Sequence, residues 1–280
     1  MRHLRLGTIV LLGVCLMAGR ASAQKVRAGS EMFAGTKVIE KDYQFIVKLI
    51  RGQPSGDLVC GGVAIDAHWV LTSAHCVRKN AAVPADRVVP AGAGVGSQTD
   101  VHPFRAFCHP KFKPGGDTLN DLALLLVDGK PLKPFAGKIS AERALQANEA
   151  YFALGWGKPT PGVLQRSQPM TAAPDPDCQK LYTGQIMEPN EICAGSKDSA
   201  PCRFDSGGPL FTATKLLDVW SSERELMGVV SKADDDCKAV GPAIFAGFGA
   251  DELKWIRNVM STNSSTNKTP RADGLTACRQ

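Results

Sequence analysis

Beyond its first two dozen residues the chain has no apolar run long enough to cross a bilayer, so its main body carries no membrane helix. There is no C-x-x-C pair and no compact His/Cys cluster in the sequence, and spacing alone gives a metal site no support. No internal repeat is visible, which argues against a repeat architecture. Charge of one sign is scarce too. The formal net charge of +6 falls to +3 once Arg2, Arg5 and Arg20 are set aside, too little to imply nucleic acid or a membrane surface as partner. What is present is ordinary for a globular protein. With 44% apolar and 21% charged residues in 280, the chain can bury a core in one large domain or two small ones.

Residues 1–23 begin with the basic MRHLR, pass through GTIVLLGVCLMAG and end on Ala21-Ser22-Ala23. That order marks a secretory signal peptide cleaved before Gln24, and hence a secreted protein, extracellular or periplasmic. A membrane anchor is the competing reading, and the apolar stretch is short for one. Val14 is bulkier than a lipidation signal at Cys15 tolerates. Export changes the meaning of the cysteines. Cys15 leaves with the signal, and Cys60, Cys76, Cys108, Cys178, Cys193, Cys202, Cys237 and Cys278 remain. An even number in an oxidising compartment reads as four disulfides, with a metal at His75-Cys76 as the weaker rival.

From Met32 onward, short apolar runs alternate with Gly/Pro/Asn/Asp clusters: 43–50, 57–65, 68–74, 121–127, 149–157, 224–231 and 242–248. Many are rich in Val, Ile and Phe, so the fold class is all-β, a sandwich or barrel. The runs fall into two groups, 32–140 and 146–248, joined by the polar KISAERALQAN (138–148). Only ADELKWIRNVM (250–260) reads as a helix, with acids in its first turn and bases later. Residues 261–280 are polar and weakly patterned, as expected of a flexible tail, and Asn263 and Asn267 lie in glycosylation sequons.

Four histidines remain after residue 23: His68, His75, His102 and His109. Nucleophilic catalysis by serine needs a base to take its proton and an acid to orient that base. His75 ends the apolar run VLTSAHC, Asp121 opens the very apolar LNDLALLLV, and Ser206 lies in PCRFDSGGPL; the gaps are 46 and 85 residues. The pieces CGGVAIDAHWVLTSAHC, NDLALL, ALGWG, DSGGPL, GVVS before Cys237 and the last helix, in this order, resemble a secreted serine protease of the chymotrypsin/trypsin family over about residues 32–258. The resemblance implies two six-stranded antiparallel Greek-key β-barrels with a C-terminal helix and a protease domain over 32–260. It implies no cofactor and no metal.

Carried onto this chain, the family's roles make Ser206 the nucleophile, His75 the general base and Asp121 the group that orients it. The backbone N–H groups of Phe204 and Ser206 form the oxyanion hole, and His68, His102 and His109 are surface or loop residues. The family's disulfides correspond to Cys60–Cys76, Cys178–Cys193 and Cys202–Cys237; Cys108 and Cys278 are left to pair, pinning the tail. Ala200, Ser231, Ala233 and Ala243 correspond to the substrate-binding pocket. A new amino terminus at Met32, made by removing a short propeptide (24–31), pairs with Asp205. The partners expected are a polypeptide substrate and a protein inhibitor, with no nucleic acid and no membrane, and the chain is a monomer.

Three departures from the family matter. Phe204 stands where glycine is nearly universal, and a flipped peptide there removes one oxyanion donor. The expectation is a working enzyme, slow or selective; the alternatives are a protease-like binding protein with little turnover and an esterase acting on small acyl groups. Ser231-Lys232-Ala233 replaces the usual Ser-Trp-Gly, and Ala243 narrows the opposite wall, favouring small side chains. At the pocket floor, Ala200 favours a small apolar residue, whereas Asp198 favours Arg or Lys if Ala200-Pro201 bulges outward. Finally, no arginine precedes Met32, so self-activation by trypsin-like cleavage is not expected.

Overall fold

The longer strands of this protein carry apolar residues on both faces because several of them serve two cores. The computed structural model describes residues 35–263, except 52–56, 78–86, 94–100, 114, 116–118, 142–144, 147–148, 158–162, 183–186, 188, 213–223, 235–236 and 238–239. The expected signal peptide, the propeptide, Met32, Asn267 and Cys278 lie outside the described residues. In chain order the first sheet contains β2 (Ile46–Arg51), β3 (Asp57–Asp66), β4 (Trp69–Thr72), β5 (Arg87–Pro90), β6 (His102–Cys108) and β7 (Ala123–Asp128). They are ordered β5-β2-β3-β4-β7-β6 and all pair antiparallel. A bridge between Val88 and Val101, with reciprocal N–H···O bonds of 2.8 and 3.0 Å, joins the two ends of the sheet and curls it into a barrel.

β7 shows the logic of its sequence. Residues alternate across a strand; Ala123, Leu125 and Val127 enter the first barrel, whereas Leu122, Leu124 and Leu126 enter the core between the two sheets. Every one of these side chains is at most 3% exposed, so an unbroken apolar run is what the position requires. Burying each leucine contributes about 1.5–3 kcal/mol.

The second sheet contains β1 (Thr36–Lys37), β8 (Lys138–Ile139), β9 (Tyr151–Gly155), β10 (Gln165–Arg166), β11 (Thr171–Ala172), β12 (Glu191–Gly195), β13 (Pro209–Thr212), β14 (Glu225–Lys232) and β15 (Pro242–Gly247). Its path is β1-β10-β9-β13-β14-β15-β12-β11, with β8 parallel to β14. The sheet therefore has nine strands, not the six expected, and four of them are only two residues long. β1 and β8 lie inside the stretch assigned to the first barrel yet pair in the second sheet. The Tyr151–Met170 bridge ties β9 to the residue that precedes β11.

Two helices follow strands of this sheet in the chain. α1 (Asp175–Leu181) was not expected: it is seven residues long, too short for an apolar stripe, and Cys178 on it is disulfide-bonded to Cys193 on β12. α2 (Ala250–Thr262) matches the expected helix but runs two residues further, into the segment expected to be tail. The Gly249 N–H donates to Glu252 Oε2 at 2.9 Å and caps its start, while Ile256 is 3% exposed in the inter-sheet core.

A single carboxylate ties the two sheets at one edge. Glu40, in a 3₁₀ turn (Glu40–Tyr43), accepts from Trp156 Nε1 and the Leu164 N–H at Oε1, both at 3.0 Å, and from the Gly92 N–H at Oε2, 2.8 Å. Lys48, 3.9 Å from the same carboxylate, lies 5.0 Å from the Trp156 ring centre.

Candidate active site

Asp121 begins where the chain turns into β7, at a point only 1% exposed. A carboxylate there requires hydrogen-bond donors. It has three: the His75 backbone N–H to Oδ1 at 2.8 Å, the His75 ring at Nδ1 to Oδ2 at 2.6 Å, and the Ser231 hydroxyl to Oδ2 at 2.7 Å. Burial pushes the Asp121 carboxyl up. The attraction of His75 and these hydrogen bonds outweigh that, and the group is held below the usual carboxylate range. Asp121 is thus charged at neutral pH, and the imidazole nitrogen facing it keeps its proton.

His75 follows β4 in a 3₁₀ turn (Ala74–Cys76), with 27% of its side chain exposed. Two ties bring it to the Ser206 turn. Cys76 is disulfide-bonded to Cys60, and the next residue, Gly61, donates its N–H to the Ser206 carbonyl at 2.7 Å. Ser73 Oγ and the Gly207 N–H both donate to the Val230 carbonyl, at 2.6 and 2.8 Å. Gly207 has φ +78°, and a Cβ there would strike Thr72 Oγ1 and the Gly61 carbonyl, so only glycine lets the sheets approach this closely. Sulfur and nitrogen atoms of Cys60, His75 and Cys76 lie within 4.8 Å of one another, but both sulfurs are spent in the disulfide. The His75-Cys76 pair weighed in the sequence is thus joined by Cys60, with both thiols oxidised. His109, expected at the surface or in a loop, lies in a loop after β6 but is 5% exposed and stacks edge-on against Trp255 of α2.

Phe204 is the departure that the sequence singled out. It has φ +80°, the left-handed conformation normally reserved for glycine. Its ring is half-buried and the Arg203 guanidinium lies 5.3 Å from the ring centre. Asp205 donates its N–H to the Cys202 carbonyl at 2.9 Å and so closes the turn that presents Ser206, itself half-buried. The Asp205 side chain is fully buried. It accepts from the Gly157 N–H at 2.8 Å and the Cys202 N–H at 2.9 Å, and among the described residues no cation pairs with it. Burial pushes its carboxyl up to about 7, against those two bonds. A Cβ on Gly157 would collide with it.

The four residues assigned to substrate binding separate. Ala200 and Ala233 line one cavity of about 360 Å³. Ala243 is 1% exposed in the core of the second barrel, and the Ser231 hydroxyl is bound to Asp121. Sequence reading missed this last contact; the one available sign was a lone hydroxyl ending the apolar run GVVS. Asp198 is exposed, whereas Ser199, Ala200 and Pro201 are buried, so Ala200-Pro201 does not bulge outward and the floor gains no carboxylate from Asp198. The Lys232 ammonium lies 3.6 Å from Glu191 Oε1, its charge matched inside the fold. Three disulfides join the pairs expected for them; Cys108 is disulfide-bonded too, and Cys278, its expected partner, lies outside the described residues.

A family model described as Trypsin matches residues 33–256. The chain belongs to the trypsin family of serine proteases. It is 30% identical to human granzyme M over 250 residues, 82% of this chain and 90% of that protein. It is 29% identical to the heavy chain of a venom peptide isomerase from Agelenopsis aperta, over 61% of this chain and 78% of the relative. Among solved structures it resembles neuropsin, a serine protease expressed in the limbic system of mouse brain, with a TM-score of 0.64, 23% identity, and 81% and 98% of the two chains covered. That likeness identifies the fold, chymotrypsin-like, with two curled antiparallel sheets and a C-terminal helix. Among the described residues no helix is long and apolar enough to cross a membrane.

Proposed function

We propose that this trypsin-family member is a secreted serine endopeptidase. The observation that carries the reading is the buried, charged Asp121 holding His75 by ring and backbone together, at 2.6 and 2.8 Å. His75 Nε2 takes the proton of Ser206 as its oxygen attacks the scissile carbonyl. The Phe204 and Ser206 N–H groups stabilise the oxyanion, and the same imidazole returns the proton to the leaving amine. Water, deprotonated by His75 in turn, releases the acyl group and regenerates Ser206. The positive φ of Phe204 supports the enzyme over the binding protein, since the phenylalanine keeps the backbone conformation that glycine adopts at such a turn.

Residues 1–23 are the secretion signal and 24–31 the propeptide. The Met32 amine, freed by cleavage after Glu31, pairs with Asp205, a buried carboxyl with two amide donors and no described cation. The substrate is a polypeptide, recognised in part by Ala200 and Ala233, and no cofactor is needed. The test is incubation of the processed protein with a denatured polypeptide. New amino termini that vanish with Ser206→Ala or His75→Ala support the reading. Intact chains, or isomerised residues without cleavage, contradict it. Amino-terminal sequencing that finds only Gln24 in an active preparation removes the Met32–Asp205 pairing.

A further inference from the structure

Three large apolar side chains are exposed among the described residues, and two of them share one place: Leu181, 54% exposed, and Val240, 40% exposed, both line the cavity of about 360 Å³. A soluble protein leaves such side chains together in water where they meet something. The cavity is held open by fixed ties. Cys178–Cys193 anchors α1 to β12, and the Tyr182 hydroxyl donates to the Pro242 carbonyl at 3.2 Å, fastening the end of α1 to the start of β15. Leu181 rests over Gly241, close enough that a Cβ there would lie 3.4 Å from its Cδ1.

The cavity adjoins the catalytic strands. Ala233 follows Ser231, the partner of Asp121, by two residues, and a bridge between Cys202 and Asp234 joins the same wall to the Ser206 turn. Among the side chains of its described lining only two are polar: Asp234, half-exposed, and Tyr182, whose phenol donates to the Pro242 carbonyl. The volume lies at the small end of the about 300–1,000 Å³ typical of ligand pockets, suited to one large side chain.

We propose that this cavity binds a large apolar side chain of the polypeptide substrate, of the leucine or phenylalanine class, so that the enzyme selects extended peptides carrying such a residue near the scissile bond. The inference rests on Ser206 being the nucleophile and adds Leu181, Tyr182, Val240 and Pro242 to the recognition surface. It replaces the small-residue preference that Ala200 alone implied.

The test is equilibrium binding, by fluorescence polarisation, to processed protein carrying Ser206→Ala, which cannot cleave. The ligands are dye-labelled Gly-Gly-X-X-X-Gly-Gly peptides with X as Leu, Ser or Lys. The leucine peptide binds about tenfold or more tightly than the other two, the scale set by a filled apolar pocket. Leu181→Ser with Val240→Ser removes the advantage; both side chains are exposed, and an unchanged melting temperature verifies the fold. Equal binding of the three peptides, tighter binding of the lysine peptide, or an advantage that survives the double substitution overturns the proposal. So does light scattering that finds a dimer dispersed by the double substitution, since the patch is then a contact between copies. Because no cleavage is read, the result stands apart from whether the unaltered chain is a protease.

Discussion

Replacing Phe204 by glycine separates a strained but assembled active site from a broken one. A non-glycine residue in the left-handed conformation costs about 1–2 kcal/mol, and Phe204, at φ +80°, carries that strain within the Ser206 turn. Glycine relieves it but loses the contact with Arg203, an exposed cation–π pair worth about 0.5–1 kcal/mol, and gives the unfolded chain more freedom. Alanine loses the same contact and keeps the strain. Phe204→Gly is therefore expected to be more stable than Phe204→Ala by about 1 kcal/mol, or about 2–4 °C in melting temperature for a domain of this size. The rate is the sharper readout. If the Phe204 amide already faces the oxyanion, Phe204→Gly changes acylation by an activated ester within about threefold, under 1 kcal/mol of barrier. A rise of about 10²–10³ on introducing glycine means that phenylalanine had displaced a donor. Such a rise, or an alanine variant more stable than the glycine one, refutes the reasoning.

Ser231→Ala deprives the buried Asp121 of one of its three donors, a hydrogen bond to a charge worth about 1.5–3 kcal/mol. Acylation rates fall, and the acidic limb of the rate profile moves to higher pH, as stopped-flow ester hydrolysis checks. Asp205 gives a pH signature in unprocessed protein. Its folded carboxyl titrates at about 7, above its ordinary 3.8, so the folded state holds an extra proton between those values. Urea unfolding then finds stability declining as pH rises from about 4 to 7. Protein beginning at Met32 loses that decline, because the amine keeps Asp205 ionised. Glu40→Ala leaves the Trp156, Leu164 and Gly92 donors without their acceptor and lowers urea stability by about 1–3 kcal/mol; an unchanged midpoint contradicts the role of Glu40 in joining the sheets.

Seven apolar runs in the sequence correspond to β2, β3, β4, β7, β9, β14 and β15, because burial on both faces leaves them unbroken. β5, β6, β12 and β13 escaped notice. In β6, for instance, HPFRAFC interrupts its apolar residues with Pro103 and Arg105, and the pairing with β7 settles its conformation instead. α1 was hidden for a related reason, being fixed by the Cys178–Cys193 disulfide more than by any apolar periodicity. Within the candidate site, the pairing of His75 with Asp121 was legible because each sits in a distinctive local setting. The second role of Ser231 and the burial of Ala243 depend on strand orientation across the inter-sheet contact, which no local pattern encodes. Phe204 was legible as a departure, while its φ came only with the fold.

The most direct test of the account is to treat the processed, secreted protein with a fluorophosphonate probe and locate the added mass by peptide mapping. The account predicts one label, on Ser206, lost with His75→Ala while the fold survives. Correctly processed, folded protein that takes up no label at Ser206 contradicts it.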